Sequence, residues 1–121
     1  MVKTFLIVDD SASMRQLLAA TIKSAGHTVL VAENGMDAIS KLGDGKVDIV
    51  ITDLNMPEMD GIELIKKLRS MPAHKFIPII MLTTEAQEEK KREGKKVGAS
   101  GWIVKPFSAV QLLEVVNKFI K

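Results

Sequence analysis

The sequence has no cysteine and no tyrosine, only one tryptophan, and an aromatic content of 4%. Without thiols there is no disulfide, no thiolate metal centre and no cysteine nucleophile, and a cytoplasmic location is expected. No apolar run approaches the roughly 20 residues that a membrane helix needs. The first apolar run, Phe5–Val8, is short and ends in two aspartates, unlike a signal peptide, so no membrane association is predicted. Charge of one sign is also lacking: 17 Lys+Arg against 15 Asp+Glu give a net +2. With so few aromatics among the basic residues, nucleic acid is not expected as a partner. There is no linker, no low-complexity tract and no internal repeat beyond the architecture itself.

What is present is enough for one domain. The 121 residues, 46% of them hydrophobic, can build a single core over 1–121 but leave no length for an output domain. Short apolar runs recur at Phe5–Val8, Val29–Ala32, Ile49–Ile51, Ile79–Leu82 and Trp102–Val104. They are rich in β-branched residues and lack polar alternation, as strands covered on both faces do. Between them helical spacing places Leu17, Leu18, Thr21, Ile22 and Ala25 on one face. It does the same for Ile62, Ile65 and Leu68, and for Val110, Leu113, Val116 and Ile120. Ser13-x-x-Gln16, Asp60-x-x-Glu63, Thr84-x-x-Gln87 and Ser108-x-x-Gln111 read as capping boxes, with Gly26 and Gly98 as helix ends. The fold class predicted is α/β: a doubly wound (βα)5 unit around a five-stranded parallel sheet.

Polar residues follow the apolar runs in a telling way. Asp9-Asp10 follow the first, Asp53 the third, Thr83-Thr84 the fourth and Lys105-Pro106 the fifth. In a parallel sheet these positions share the carboxyl edge, where open α/β sheets bind ligands. Taken singly, Asp9-Asp10 could be capping acids, Asp53 a turn residue before Pro57, Lys105 a solvated lysine and Thr84 a helix cap. Taken together, they bring three carboxylates, a hydroxyl and an ammonium to one rim. Clustered carboxylates raise one another's pKa, and a cation relieves that. The candidate ligands are all oxygen, so a hard ion such as Mg²⁺ suits them, and such an ion shares its shell with phosphate oxygens. Lys105 supplies positive charge for a phosphoryl group and Thr83 a hydrogen-bond donor.

These residues resemble those of bacterial response-regulator receiver domains, especially the single-domain, CheY-like members that serve chemotaxis. The resemblance runs from about Lys3 to the C-terminus. It is carried by Val8-Asp9-Asp10-Ser11, by Asp53-Leu54-Asn55-Met56-Pro57-Glu58-Met59-Asp60-Gly61, by Thr83-Thr84-Glu85-Ala86, and by Gly98 through Phe107. It implies the flavodoxin-like strand order 2-1-3-4-5. It implies that Asp53 accepts the phosphoryl group. One Mg²⁺ would be held by Asp10 and Asp53, with Asp9 acting directly or through water and Asn55 giving its backbone carbonyl. Lys105, Thr83 and the Thr84 backbone N–H would contact the phosphoryl group, and the Lys105–Pro106 peptide would be cis. Asn55 and Glu85 would tune dephosphorylation. A histidine kinase would be the donor, with small acyl phosphates as substitutes. The domain would be a signalling module, with self-phosphorylation and autodephosphorylation as its only chemistry. It would act as a monomer.

The resemblance also implies a switch in which Thr83 moves inward and Trp102 changes rotamer, although Trp102 could equally be a half-buried strand-end anchor. The output surface would be formed by the fourth helix, fifth strand and fifth helix. Here segment 85–97 departs from the pattern: it is strongly charged, with only Ala86 and Val97 clearly apolar. Glu88–Arg92 and Glu89–Lys90 pairs would help it, while Gly94 would cost about 1 kcal/mol, so a marginal, mobile fourth helix is expected. The charge argues against a flagellar-motor target and for an acidic partner. His27 and His74 are expected at the surface. Chemotaxis is the leading assignment, with twitching motility or an intermediate phosphorelay step next. A Mg²⁺-dependent aspartyl-phosphate phosphohydrolase would want Asp-x-Asp after the first strand and a cap domain. A flavin-binding domain would want a phosphate loop where this chain has two acids.

Overall fold

The computed structural model describes residues 2–84 and 88–120. In chain order the elements are β1 (Thr4–Val8), α1 (Ala12–Ser24), β2 (Thr28–Ala32), α2 (Gly35–Leu42), β3 (Ile49–Asp53), α3 (Gly61–Arg69), a 3-10 turn (Pro72–His74), β4 (Ile79–Thr83), α4 (Glu88–Val97), β5 (Gly101–Val104) and α5 (Ala109–Phe119). The strands form one parallel sheet in the order β2-β1-β3-β4-β5.

Every residue of the central strands β3 and β4 is buried, as are Phe5–Val8 of β1. Alternate residues serve opposite faces. Leu6, Val8, Val50, Ile79 and Met81 pack with Ala38 and Leu42 of α2 and with Ile62, Ile65 and Leu68 of α3. Phe5, Ile7, Ile49, Ile51, Ile80 and Leu82 pack with Leu18 and Ile22 of α1 and Leu112 and Val116 of α5. The edge strands β2 and β5 are only half-buried, because each has a neighbour on one side alone.

Several local expectations need correction. Ser11, not Ser13, caps α1 and accepts from the Met14 N–H. Leu17 and Val110 are exposed, and the buried stripe of α5 runs through Leu112 and Val116. The capping boxes at Asp60 and Ser108 form as read, while the one from Thr84 to Gln87 extends outside the described residues. The pairs in α4 are Glu88–Lys91 (3.9 Å) and Lys90–Glu93 (3.8 Å) rather than those expected. Gly94 is not a gratuitous weak point. It is buried, and a Cβ there would collide with the Cε and lie 2.9 Å from the Sδ of Met81, so its bare backbone lets α4 sit close to β4.

His74 is fully buried rather than at the surface. Its Nε2 accepts from the Val47 N–H at 3.4 Å, and burial pushes its pKa below 6.5. His27 is half-buried, accepting from the Lys3 N–H at 3.1 Å and leaning on the Phe5 ring. Arg69 went unremarked in the sequence, yet it organises this end of the fold. Its guanidinium donates to the carbonyls of Gly98 (2.7 Å), Ile77 (2.7 Å), His74 (2.9 Å) and Lys75 (3.2 Å). It thereby ties α3 to the loop before β4 and to the turn after α4.

Candidate functional site

The parallel register fixes which residues meet. Val8 pairs with Thr52, Asp53 with Leu82, and Thr83 with Val104. Asp9, Asp53, Thr83 and Lys105 therefore leave four adjacent strands at nearly the same height. Carboxylate oxygens of Asp9, Asp10 and Asp53 lie within 4.8 Å of one another. Asp9 and Asp53 are buried and Asp10 is exposed.

Each group is held by its own local device. Asp9 Oδ1 accepts from the Ser11 N–H at 2.9 Å at the start of α1, and Arg15 Nη1 donates to the Asp9 carbonyl at 2.7 Å. Asp53 ends β3, and the chain then turns back so that the Gly61 N–H donates to the Leu54 carbonyl at 2.9 Å. A Cβ on Gly61 would stand 2.5 Å from the Asp53 carbonyl oxygen and 3.0 Å from Leu54 Cα. Only glycine allows α3 to start this close to the end of β3. Lys105, on a cis Lys105–Pro106 peptide, donates its backbone N–H to the Thr83 carbonyl.

Lys105 Nζ stands 3.1 Å from Asp9 Oδ2 and 3.4 Å from Asp53 Oδ1. Despite this cation, the Asp53 pKa lies above its ordinary value of 3.8. Burial is the main cause and the Asp9 carboxylate the next, and together they outweigh Lys105. One ammonium is too little positive charge for three acids, and a hard cation bound by oxygens would complete the balance. The Thr83 hydroxyl is buried and finds no hydrogen-bond partner among the described residues. Leaving such a group unpaired costs about 1–3 kcal/mol, which is regained when a ligand oxygen accepts from it.

Asp9, Asp10, Asp53, Thr83 and Lys105 are thus brought to one rim. Asn55 and Thr84 are exposed beside it, in the segments that follow β3 and β4, and Glu85 lies outside the described residues. Trp102 is set back from the rim. It is half-buried and pairs with Met81, two residues before Thr83. The sequence reading gave no role to Ser11 and Arg15, which steady Asp9. Ser11 at the N-cap and Arg15 one turn later were the available signal.

The Response regulator receiver domain family matches residues 5–117. The chain is 46% identical over 112 residues to chemotaxis protein CheY1 of Helicobacter pylori, covering 90% of each. It is 38% identical over 117 residues to chemotaxis protein CheY-3 of Vibrio cholerae, covering 96% of this chain and 90% of that one. The solved structure of Vibrio cholerae CheY4 superposes with a TM-score of 0.95 at 44% identity, covering 99% of this chain and 100% of that one. The fold, the acidic rim and these likenesses agree, and the chain belongs to the response-regulator receiver domains of two-component signalling, in their CheY-like branch.

Proposed function

We propose that the domain takes a phosphoryl group onto Asp53 from the phosphohistidine of a CheA-like histidine kinase, with Mg²⁺ bound, and signals by altering a protein-binding surface. The observation that carries this reading is Asp53 itself. It is a buried strand-end carboxylate that shares Lys105 with Asp9, beside a buried threonine hydroxyl with no partner among the described residues.

Asp9, Asp10 and Asp53 would hold the Mg²⁺, with the Asn55 backbone carbonyl. When bound, the ion would neutralise charge on the phosphoryl oxygens. One Asp53 oxygen forms the new O–P bond as the N–P bond to the donor imidazole breaks, and that imidazole nitrogen keeps the electron pair. Lys105 turns its ammonium from the Asp53 carboxylate to the phosphoryl oxygens. The Thr83 hydroxyl and the Thr84 N–H donate to the same group. Later, water attacks phosphorus, releases phosphate and restores the carboxylate, at a rate tuned by Asn55 and Glu85. Drawing Thr83 toward the phosphoryl group lets Trp102 change rotamer, so that α4, β5 and α5 present a new surface.

The named relatives are chemotaxis proteins, which favours chemotaxis over twitching motility or a phosphorelay step. We read the domain as a cytoplasmic monomer that signals by binding a protein. The excess of basic residues on α4, with Lys90, Lys91, Arg92, Lys95 and Lys96 against Glu88, Glu89 and Glu93, suits an acidic target surface.

Trp102 is the only tryptophan, so its fluorescence reports the site. Beryllofluoride with Mg²⁺ is expected to change that fluorescence saturably in the parent, and to have no effect in Asp53→Asn or with EDTA. An unchanged response in Asp53→Asn would contradict the proposal.

A further inference from the structure

Lys91 occupies an unusual place for a lysine. Its side chain is only 14% exposed, and Nζ stands 5.2 Å from the centre of the Trp102 ring. Its one ion pair among the described residues, with Glu88, is long at 3.9 Å, and Glu88 is 74% exposed, so solvent screens it. Gly94, one turn on, is the residue at which α4 approaches Met81, the sheet partner of Trp102. Lys91 therefore belongs to the helix face laid against the sheet, where an apolar residue would be ordinary. Its stem covers apolar surface while its ammonium rests on the indole.

We propose that Lys91 is a positioning residue for the switch: its cation–π contact clamps Trp102 against α4 and sets how readily the indole moves when the site is phosphorylated. This rests on the switch role given to Trp102 above. The contact ties α4 directly to β5. A change of indole rotamer must break it, and displacement of α4 must release the ring. A partly desolvated contact of this kind is worth enough to shift a two-state equilibrium by about two- to fivefold. Removing the ammonium alone makes the indole easier to move.

The tests are Lys91→Met, which keeps the stem and removes the charge, and Lys91→Arg, which keeps a cation able to lie on the ring. Lys91→Met is expected to raise acrylamide quenching of Trp102 in the unmodified protein. It should also lower the beryllofluoride concentration at half-saturation, in excess Mg²⁺, by about two- to fivefold. Lys91→Arg should stay close to the parent in both. A double-mutant cycle of Lys91→Met with Trp102→Leu, followed by circular dichroism in urea, needs no ligand and should show a coupling of similar size. Additive effects in that cycle, or quenching and half-saturation equal to the parent in Lys91→Met, would overturn the clamp. A parent that ignores beryllofluoride while the cycle shows coupling would instead sink the switch reading and leave the contact standing.

Discussion

Asp53 is pulled in opposite directions. Burial and the neighbouring Asp9 favour its protonated form, while Lys105 favours the carboxylate, and the first two prevail. A carboxyl whose folded pKa exceeds its unfolded value binds protons more readily folded than unfolded. It costs stability at neutral pH, and the cost disappears as pH falls through the folded pKa towards 3.8. Asp53→Asn is therefore expected to melt at a higher temperature than the parent at pH 7 without metal, with the gap closing near pH 4. Equal or lower melting of the variant at pH 7 would show that Lys105 dominates. His74 works in the opposite sense. Its folded pKa lies below 6.5, so the unfolded chain takes up the proton first and stability falls as pH drops below that value. His74→Gln, which can still accept from the Val47 N–H, should lessen that loss in thermal melts between pH 7 and 5; an unchanged slope would contradict it. The acids and Lys105 were legible because each ends an apolar run. His74 was not, because a residue in a short turn shows no periodicity, and its burial depends on Arg69 drawing the loop carbonyls onto α3.

The strands and the starts of α1, α3 and α5 were legible to within a residue or two, whereas the cap of α2 at Asn34 was overlooked and the expected start of α4 lies outside the described residues. Errors of face, as at Leu17 and Val110, arose where a helix carries further apolar residues beside its buried stripe and only the sheet decides which are covered. Gly61 and Gly94, both at contacts between elements, have different consequences. At Gly61 the obstacles to a Cβ are the backbone atoms of Asp53 and Leu54, which cannot give way. At Gly94 the obstacle is the end of the Met81 side chain, and alanine would also gain about 1 kcal/mol of helix propensity. Gly61→Ala is expected to cost about 1–3 kcal/mol in urea unfolding, whereas Gly94→Ala should be nearly neutral. The reverse order would mean that α4 is seated more rigidly than the start of α3.

At the scale of the molecule, five apolar runs separated by helical spacing were enough for a parallel α/β sheet. They were not enough for its strand order, since a crossover leaves no local trace in sequence; the order 2-1-3-4-5 came from resemblance and is the one observed. The order matters because it sets β1 and β3 side by side and so joins Asp9 and Asp10 to Asp53. The most direct test of this arrangement is the intact mass of the protein after incubation with acetyl phosphate and Mg²⁺, followed by mapping of the modified peptide. The account predicts the mass of one added phosphoryl group, carried by the peptide containing Asp53 and absent from Asp53→Asn or with EDTA. No added mass, or a phosphoryl group carried elsewhere, would contradict it.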